Sequence, residues 1–577
     1  LKKSIFVLLS LILAISMFLV ACSSQTTEAP PKENADQPKE ETKVEPQYGG
    51  KVTYAFIQPF KGLLDRAFYE GEDDDLILNF MMDSIIETGD DLKPKPGIGT
   101  WEVSDDHKTY TFKIKQGVKW HNGEELTVED WKYALEVLAD PDYTGPRYTN
   151  VEIVEGAEAY HKGEAKSISG IEVVDPYMIK ITAKKPMVNF LDQLWSYPMP
   201  KKYYEGIAVK DLPNSDKVRK NPIGLGPFKV KTIQPGEFVE LERFDDYWKG
   251  KPYLDGVVYK VIDGSLASGL LKNGEVDIMM IPSSQYQEIS QLPNVELIKE
   301  PALSYSYIGF KLGKWEGTES EGKVVMNNPK FQDKRLRQAM AYALDRQSLL
   351  DAFANGLGMP LDVPVPDVSW AKIDDSKITK YEYNPEKAKQ LLDEAGYKDV
   401  DGDGFREDPK GKKFVINFDA MSGTEIAEPR AQAIMQMWKD VGLNVKLNGG
   451  ALKEFNLFYD VVMKDDPSVE LFYGAWGLAS DPDPTGLWKS TDYWNFQRWY
   501  NEESDKLIEE GISEKAFDEN YRKEVYYKWQ QLVNEELPTI FMFQPIDVTA
   551  VNKRLHGVHT NSFTNQVDTH LWWVDQK

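Results

Sequence analysis

The sequence predicts a mixed α/β protein of two or more lobes, and three observations lead there. From Gln47 onward, short runs with strand-like alternation take turns with runs whose apolar residues recur at helical spacing. No internal repeat accompanies that alternation. The one cysteine is Cys22, so the roughly 530 residues beyond Gln47 must draw stability from a large core rather than from disulfides.

In chain order, Lys2 and Lys3 precede an apolar run from Ser4 to Val20, and Leu19-Val20-Ala21-Cys22 closes it. This is the layout of an export signal. Its end resembles the bacterial lipobox, in which the cysteine is lipidated on sulfur and the signal is cut just before it. Residues 1–21 are therefore expected to be removed, and Cys22 to be the lipid anchor. Residues 22–47 carry no aromatic residue and only Val44 as an aliphatic larger than alanine, so they are expected to be a disordered tether reaching about 25–30 Å.

"KTYTFKIKQGVKWHNGEEL" then alternates, with Tyr110, Phe112 and Ile114 on one face and Thr111, Lys113 and Lys115 on the other. A turn is expected at His121-Asn122-Gly123, and Thr127 is placed to cap a helix over "VEDWKYALEVL". "DKRLRQAMAYALDRQSLLDAFANG" is amphipathic with a glycine stop at Gly356.

Signatures of chemistry are weak. G-x-S-x-G and H-E-x-x-H are absent. "GTESEGKV" has the glycine spacing of a phosphate loop but puts Val324 where a hydroxyl should hold magnesium, and it reads as a surface loop. His556 and His559 have no cysteine or acidic ligand close by in sequence. "DVDGDGFREDPK" sets Asp399, Asp401, Asp403 and Gly404 at calcium-loop positions one, three, five and six, yet position twelve is Lys410. A turn leading into the strand "KKFVINFD" is the favoured reading there, with weak calcium binding left open. The net charge of −25 argues against nucleic acid as a partner. Beyond the N-terminal run, no apolar stretch is long enough to span a bilayer.

Several of these stretches, in this order, resemble the large extracellular solute-binding proteins of oligopeptide, dipeptide and nickel ABC importers. They are "PGIGTWEVSDDHKTYTFKIKQGVKWHNGEELTVEDWKYAL", "GLGPFKV", "DYWKGKPYLDGVVYKVI", "LKNGEVDI", "DKRLRQAMAYALDRQSLL" and "NPEKAKQLLDEAGY". "ISGI", "SSQY", "EFN" and "VNKR" are similar to peptide-binding lipoproteins of Gram-positive bacteria. The resemblance implies a periplasmic-binding-protein-like α/β fold of the type II, large peptide-binding class: two hinged lobes plus an inserted domain. Lobe I would comprise residues 48–90, 214–301 and 545–577, the inserted domain 91–213, and lobe II 302–544. It also implies a monomer with no cofactor, metal site or catalysis. Such a protein would capture oligopeptides at the outer face of the cytoplasmic membrane of a Gram-positive bacterium and hand them to a permease with cytoplasmic ATPases.

The resemblance places part of the cleft at "LFYGAWGLASDPDPTGLW". Gly474 and Ala475 would let a peptide backbone approach, beside Trp476. Many relatives carry an Asp three residues after that tryptophan for the peptide ammonium; here the position is Ala479, and Asp481 or Asp483 would substitute. An exposed Asp-Pro turn is an equally open reading for each. Three residues before the tryptophan, where some relatives carry a basic side chain for the carboxylate, stands Tyr473. Both departures favour longer peptides with loosely held ends. Trp488, Trp494, Asn495, Tyr305 and Tyr307 are further ligand candidates among aromatics that mostly belong to the core. Two rival readings stay open: the same scaffold binding an oligosaccharide or a nickel chelate, and a secreted carbohydrate-active enzyme with paired carboxylates.

Overall fold

The computed structural model describes residues 45–318 and 321–575. The proposed signal, the Cys22 anchor and nearly all of the tether lie outside them. Among the described residues, twelve strands form one ladder in two halves, joined on a single 14-residue strand, Thr539–Asn552.

In the first half, Lys51–Phe56 runs parallel to Gly256–Val261 and to Ile278–Met280. The hairpin Phe228–Gln234 and Phe238–Arg243 extends that half outward. The second half orders Asn444–Leu447, Val415–Asp419, Leu471–Gly477 and Ser304–Phe310. The long strand pairs with Ser304–Phe310 through its first residues and with Ile278–Met280 through Thr549–Val551. The chain also crosses at Pro301–Ser304, where Val295–Pro301 gives way to Ser304–Phe310. Pro301 and Pro545 both stand at these crossings and lack an N–H, so neither donates to the ladder where the two halves join. The Gln544 side chain compensates by donating to the Ala302 carbonyl at 3.0 Å.

A separate four-stranded antiparallel sheet runs Gly99–Val103, Thr109–Ile114, Met178–Thr182, Ile171–Asp175. Tyr110, Phe112 and Ile114 are buried in its core, as the alternation requires. Thr127 and Asp130 form a capping box on the helix Val128–Leu138, whose Trp131 is fully buried and donates to the Trp195 carbonyl at 2.8 Å. The amphipathic stretch toward Gly356 is two helices, Lys334–Tyr342 and Arg346–Ala354. Asp345 breaks it because its carboxylate caps the second helix, accepting from the Ser348 N–H at 2.9 Å. Asn355, in the left-handed region ahead of Gly356, ends that helix. No described helix is long and apolar enough to cross a membrane.

Candidate ligand-binding cleft

The strand Leu471–Gly477 is paired along its whole length on one side and only at its start on the other. It runs antiparallel to Ser304–Phe310 along its whole length, with Gly474 opposite Tyr307 and Gly477 opposite Ser304. Its other neighbour, the parallel Val415–Asp419, ends with Asp419 opposite Phe472. There the chain bends away: Lys453 donates to Ala420, and Ser422 donates back to Lys453. From Tyr473 onward that edge has no strand partner among the described residues. The Leu478 N–H donates to the Leu303 carbonyl at 3.0 Å, which sets the alternation. Gly474 and Trp476 therefore turn their main-chain groups toward Ser304–Phe310, and Ala475 and Gly477 turn theirs to the open edge.

Beside this edge lies a cavity of about 460 Å³ whose walls include Trp476, Trp488, Trp494 and Trp529, with Asp481 and Asp483 at its polar end. Trp494 is 47% exposed and Trp488 is buried, so Trp494 offers much the larger surface to a ligand. Gly474 makes room for a neighbour: a Cβ there would come within 3.0 Å of the Tyr307 ring. Tyr305 and Tyr307 are buried in the core beneath. Asn495 has no exposed surface; its amide donates to the carbonyls of Trp488, Lys489 and Trp499, which holds the aromatic loop together. The Tyr473 hydroxyl donates to Ser306 Oγ at 3.1 Å.

The acidic end is a seam, where Asn189–Asp192 meets Ser480–Asp483. Asp481 is held by Arg522 through two hydrogen bonds of 2.7 Å, and both side chains are nearly buried. Its charge is thus already matched. Asp483 accepts from Thr485 and, at 3.4 Å, from the Asn189 amide. Ser480 Oγ donates to Asp192 Oδ1 at 3.3 Å. Burial pushes the Asp483 carboxyl up. Burial, and then the Asp481 charge, push Asp192 up to about 7. Burial, and then the Asp483 charge, push Asp492 up to about 6. The seam therefore gathers more buried carboxyl groups than Arg522 can neutralise, and a cationic guest would favour their ionised form. On the other side of the Ser480–Asp192 contact, Asp192 also lines a cavity of about 500 Å³ with Arg66, Asn79, Asp83 and Gln566. Neither Asp192 nor Arg522 carries a local sequence signal; tertiary packing alone brings them to the seam.

Further contacts join residues 93 and 107 to residues 519 and 517. The His107 ring stacks on Phe517 with centroids 3.9 Å apart, and Lys93 pairs with Glu519 at 2.8 Å.

Other motifs resolve into local structure. Asp399, Asp401 and Asp403 bring carboxylate oxygens within 4.8 Å of one another on an exposed turn. Asp399 accepts from the N–H groups of Gly402 and Gly404, and Lys413 pairs with Asp403 at 3.0 Å and Asp401 at 3.4 Å. His556 stacks on Trp573 and pairs with Asp575, whereas His559 faces Asp90. Gly317 and Gly322–Val324 belong to the paired strands Lys314–Gly317 and Gly322–Val325.

Residues 93–497 match the sequence profile of bacterial extracellular solute-binding proteins, family 5, middle region. The oligopeptide-binding protein AppA of Bacillus subtilis (strain 168) is 29% identical over 582 residues, 99% of each chain. The oligopeptide-binding protein OppA of Lactococcus lactis subsp. lactis is 30% identical over 480 residues, 80% of this chain and 79% of its own. Among solved structures, Bacillus subtilis AppA in complex with a nonapeptide matches with a TM-score of 0.69 and 28% identity, covering 92% of this chain and all of that one. Lactococcal OppA, closed on an endogenous peptide, matches with a TM-score of 0.73 and 28% identity over 91% of this chain and 99% of that one. The profile spans most of the chain and the fold agrees throughout: the protein belongs to the family 5 bacterial extracellular solute-binding proteins, non-enzymatic components of ABC importers.

Proposed function

We propose that the protein captures oligopeptides by adding them, extended, to the open edge of Tyr473–Gly477, and delivers them to the permease of an ABC importer. The unpaired edge is the observation that carries this reading. Ala475 and Gly477 offer two donors and two acceptors to any peptide main chain, whatever its side chains. At about 0.5–1.5 kcal/mol each, those bonds supply about 2–6 kcal/mol. Micromolar affinity needs about 8 kcal/mol, so apolar burial against Trp476, Trp488 and Trp494 must provide the rest. The peptide ammonium belongs beside Asp483 and Asp192, which have no basic partner among the described residues and would ionise against it, rather than beside Asp481, which Arg522 occupies. The names of AppA and OppA as oligopeptide-binding proteins support the ligand class.

In this reading, lobe I (48–90, 214–301, 545–577) and lobe II (302–544) close about the proline-bearing crossings, with 91–213 inserted. Ligand contacts in both lobes shift the open–closed balance. Cys22 carries the lipid that keeps the tethered body on the outer face of the cytoplasmic membrane. Incubation with a peptide mixture, followed by washing and denaturation, should release retained oligopeptides for mass spectrometry. Release of sugar alone, or turnover of a glycan, would defeat the proposal.

A further inference from the structure

Trp494 is the most exposed of the four tryptophans around the aromatic cavity, yet no strand or helix carries it. It sits in the irregular segment between the short helix Thr485–Trp488 and the helix Glu502–Gly511. Such a segment holds its shape through the partners that its main-chain groups find elsewhere. Around Trp494 those partners are two buried cations. Arg498 donates to the carbonyls of Tyr493 at 2.6 Å and Asn495 at 3.3 Å, and Lys311 donates to the carbonyl of Phe496 at 2.9 Å. Arg498 is 0% exposed and Lys311 3%. The same two side chains reach the end of the helix Phe455–Met463, whose last carbonyls have no partner within the helix. Lys311 donates to Val462 at 2.7 Å and Arg498 to Met463 at 2.8 Å. Among the described residues, one carboxylate serves both cations: Asp465 accepts from Arg498 Nε at 2.8 Å and pairs with the Lys311 ammonium.

Two features mark this cluster as costly. Asp465 and Arg498 both stand in the left-handed region, at φ 54° and 53°, which residues other than glycine keep only where the surroundings enforce it. Burial also pushes the Lys311 ammonium down to about 7, against the pull of Asp465. Arg498 and Asp465 alone would form a balanced pair. Lys311 is the surplus charge, and the bond it adds inside the loop is the one to Phe496. The Phe496 ring in turn stands behind the cavity wall, with its centroid 5.7 Å from Trp494 and 5.2 Å from Trp476. Lys311 directly follows the strand Ser304–Phe310, along which the edge strand Leu471–Gly477 is aligned. One side chain therefore ties that sheet to the loop that sets Trp494 beside it.

We propose that Lys311 is a positioning residue for ligand binding: its hold on the Phe496 carbonyl keeps Trp494 where a bound peptide meets it. This deepens the peptide reading and rests on it. Lys311 itself is buried and touches no ligand; it acts through the loop. Without its ammonium the Phe496 carbonyl loses its donor and turns toward water, and Trp494, two residues earlier, moves with it. Arg498 still matches Asp465, so removing Lys311 leaves no carboxylate buried alone.

The test labels the full chain with 5-fluorotryptophan and follows two fluorine resonances, each assigned by a Trp→Phe variant. One is Trp494. The other is Trp529, which walls the same cavity from the helix Glu519–Glu536. Binding is read by mass spectrometry as the retained fraction of a mixed-sequence heptapeptide pool, acetylated and amidated at its ends. Lys311→Met should move the Trp494 resonance, leave that of Trp529 in place, and weaken retention about two- to tenfold, the range that one aromatic contact supplies. Lys311→Arg restores a buried cation and should return both resonance and retention toward the wild type. Lys311→Gln, a milder change, reads the same resonances if Lys311→Met does not fold. A Trp494 resonance that stays in place, one that moves only together with Trp529, or unchanged retention despite a Trp494 shift overturns the assignment and leaves peptide binding standing. Retention of no peptide by the wild type overturns the peptide reading, and this inference with it.

Discussion

Two acidic regions of this chain look alike in sequence and differ in the fold. Asp399, Asp401 and Asp403 alternate through a glycine-rich turn, and Asp481 and Asp483 alternate with prolines. In the turn the carboxylates are exposed, backbone N–H groups take their oxygens, and hydrogen bonding to Lys413 holds Asp403 below the usual carboxylate range. In the seam the carboxylates are desolvated, one is matched by Arg522, and burial pushes Asp483 and Asp192 up. The turn is electrostatically finished and the seam is not. Carboxylate spacing therefore says little about binding until burial and counter-charges are known.

The comparison breaks most visibly at Arg522. Arg522→Met leaves Asp481 buried without its partner and should cost about 3–5 kcal/mol in urea unfolding. Adding Asp481→Asn should recover much of that loss. A cost near zero for the single variant would mean that the pair is not what holds Asp481.

Next in size is Asp483→Asn. Affinity for free-amine peptides should fall about tenfold relative to N-acetylated ones, because a charge-assisted bond contributes about 1.5–3 kcal/mol. Stability should hold, since a carboxyl raised by burial gains nothing from its charge in the fold. Calorimetry that gives equal losses for both peptide types would remove Asp483 from the amine site.

The pH response sharpens the contrast. Asp192 is raised to about 7 by burial and then by the Asp481 charge, so between its ordinary range and about 7 the intact seam holds protons that a solvated Asp192 would release. Burial of Asp192 beside Asp481 is therefore most favourable below about pH 4 and is opposed as pH rises through about 7, while the Ser480 hydrogen bond itself favours the ionised carboxylate. Scattering of the unliganded protein should show a more compact particle near pH 5 than near pH 8, and Asp192→Asn should flatten the difference. Peptide amines should show the opposite trend, binding better where Asp192 and Asp492 are ionised. The smallest effect belongs to the turn: Asp403→Asn should leave peptide binding unchanged and the unfolding midpoint within scatter.

Much of the fold was legible because it is local. The alternation at Tyr110, Phe112 and Ile114 and the Thr127 capping box need only neighbouring residues. Asp345 splits the long amphipathic stretch by the same local capping chemistry, but the apolar periodicity runs through the break and hides it. The cleft was legible in part. The segment around Trp476 stands out by composition, whereas its open edge depends on where a strand some fifty residues upstream stops pairing. The partners of Asp481 and Asp483 come from 41 and 294 residues away. Gly474 illustrates the limit at one position: a glycine beside a tryptophan suggests ligand approach, and the fold uses it to seat Tyr307.

The pairing of ligand with the Tyr473–Gly477 edge is tested most directly by amide hydrogen exchange over Tyr473–Leu478, with and without saturating oligopeptide. Ala475 and Gly477, whose N–H groups face the open edge, should become protected by peptide and far less by an analogue methylated on its own amide nitrogens. Unchanged exchange at both residues while calorimetry records peptide binding would contradict that pairing.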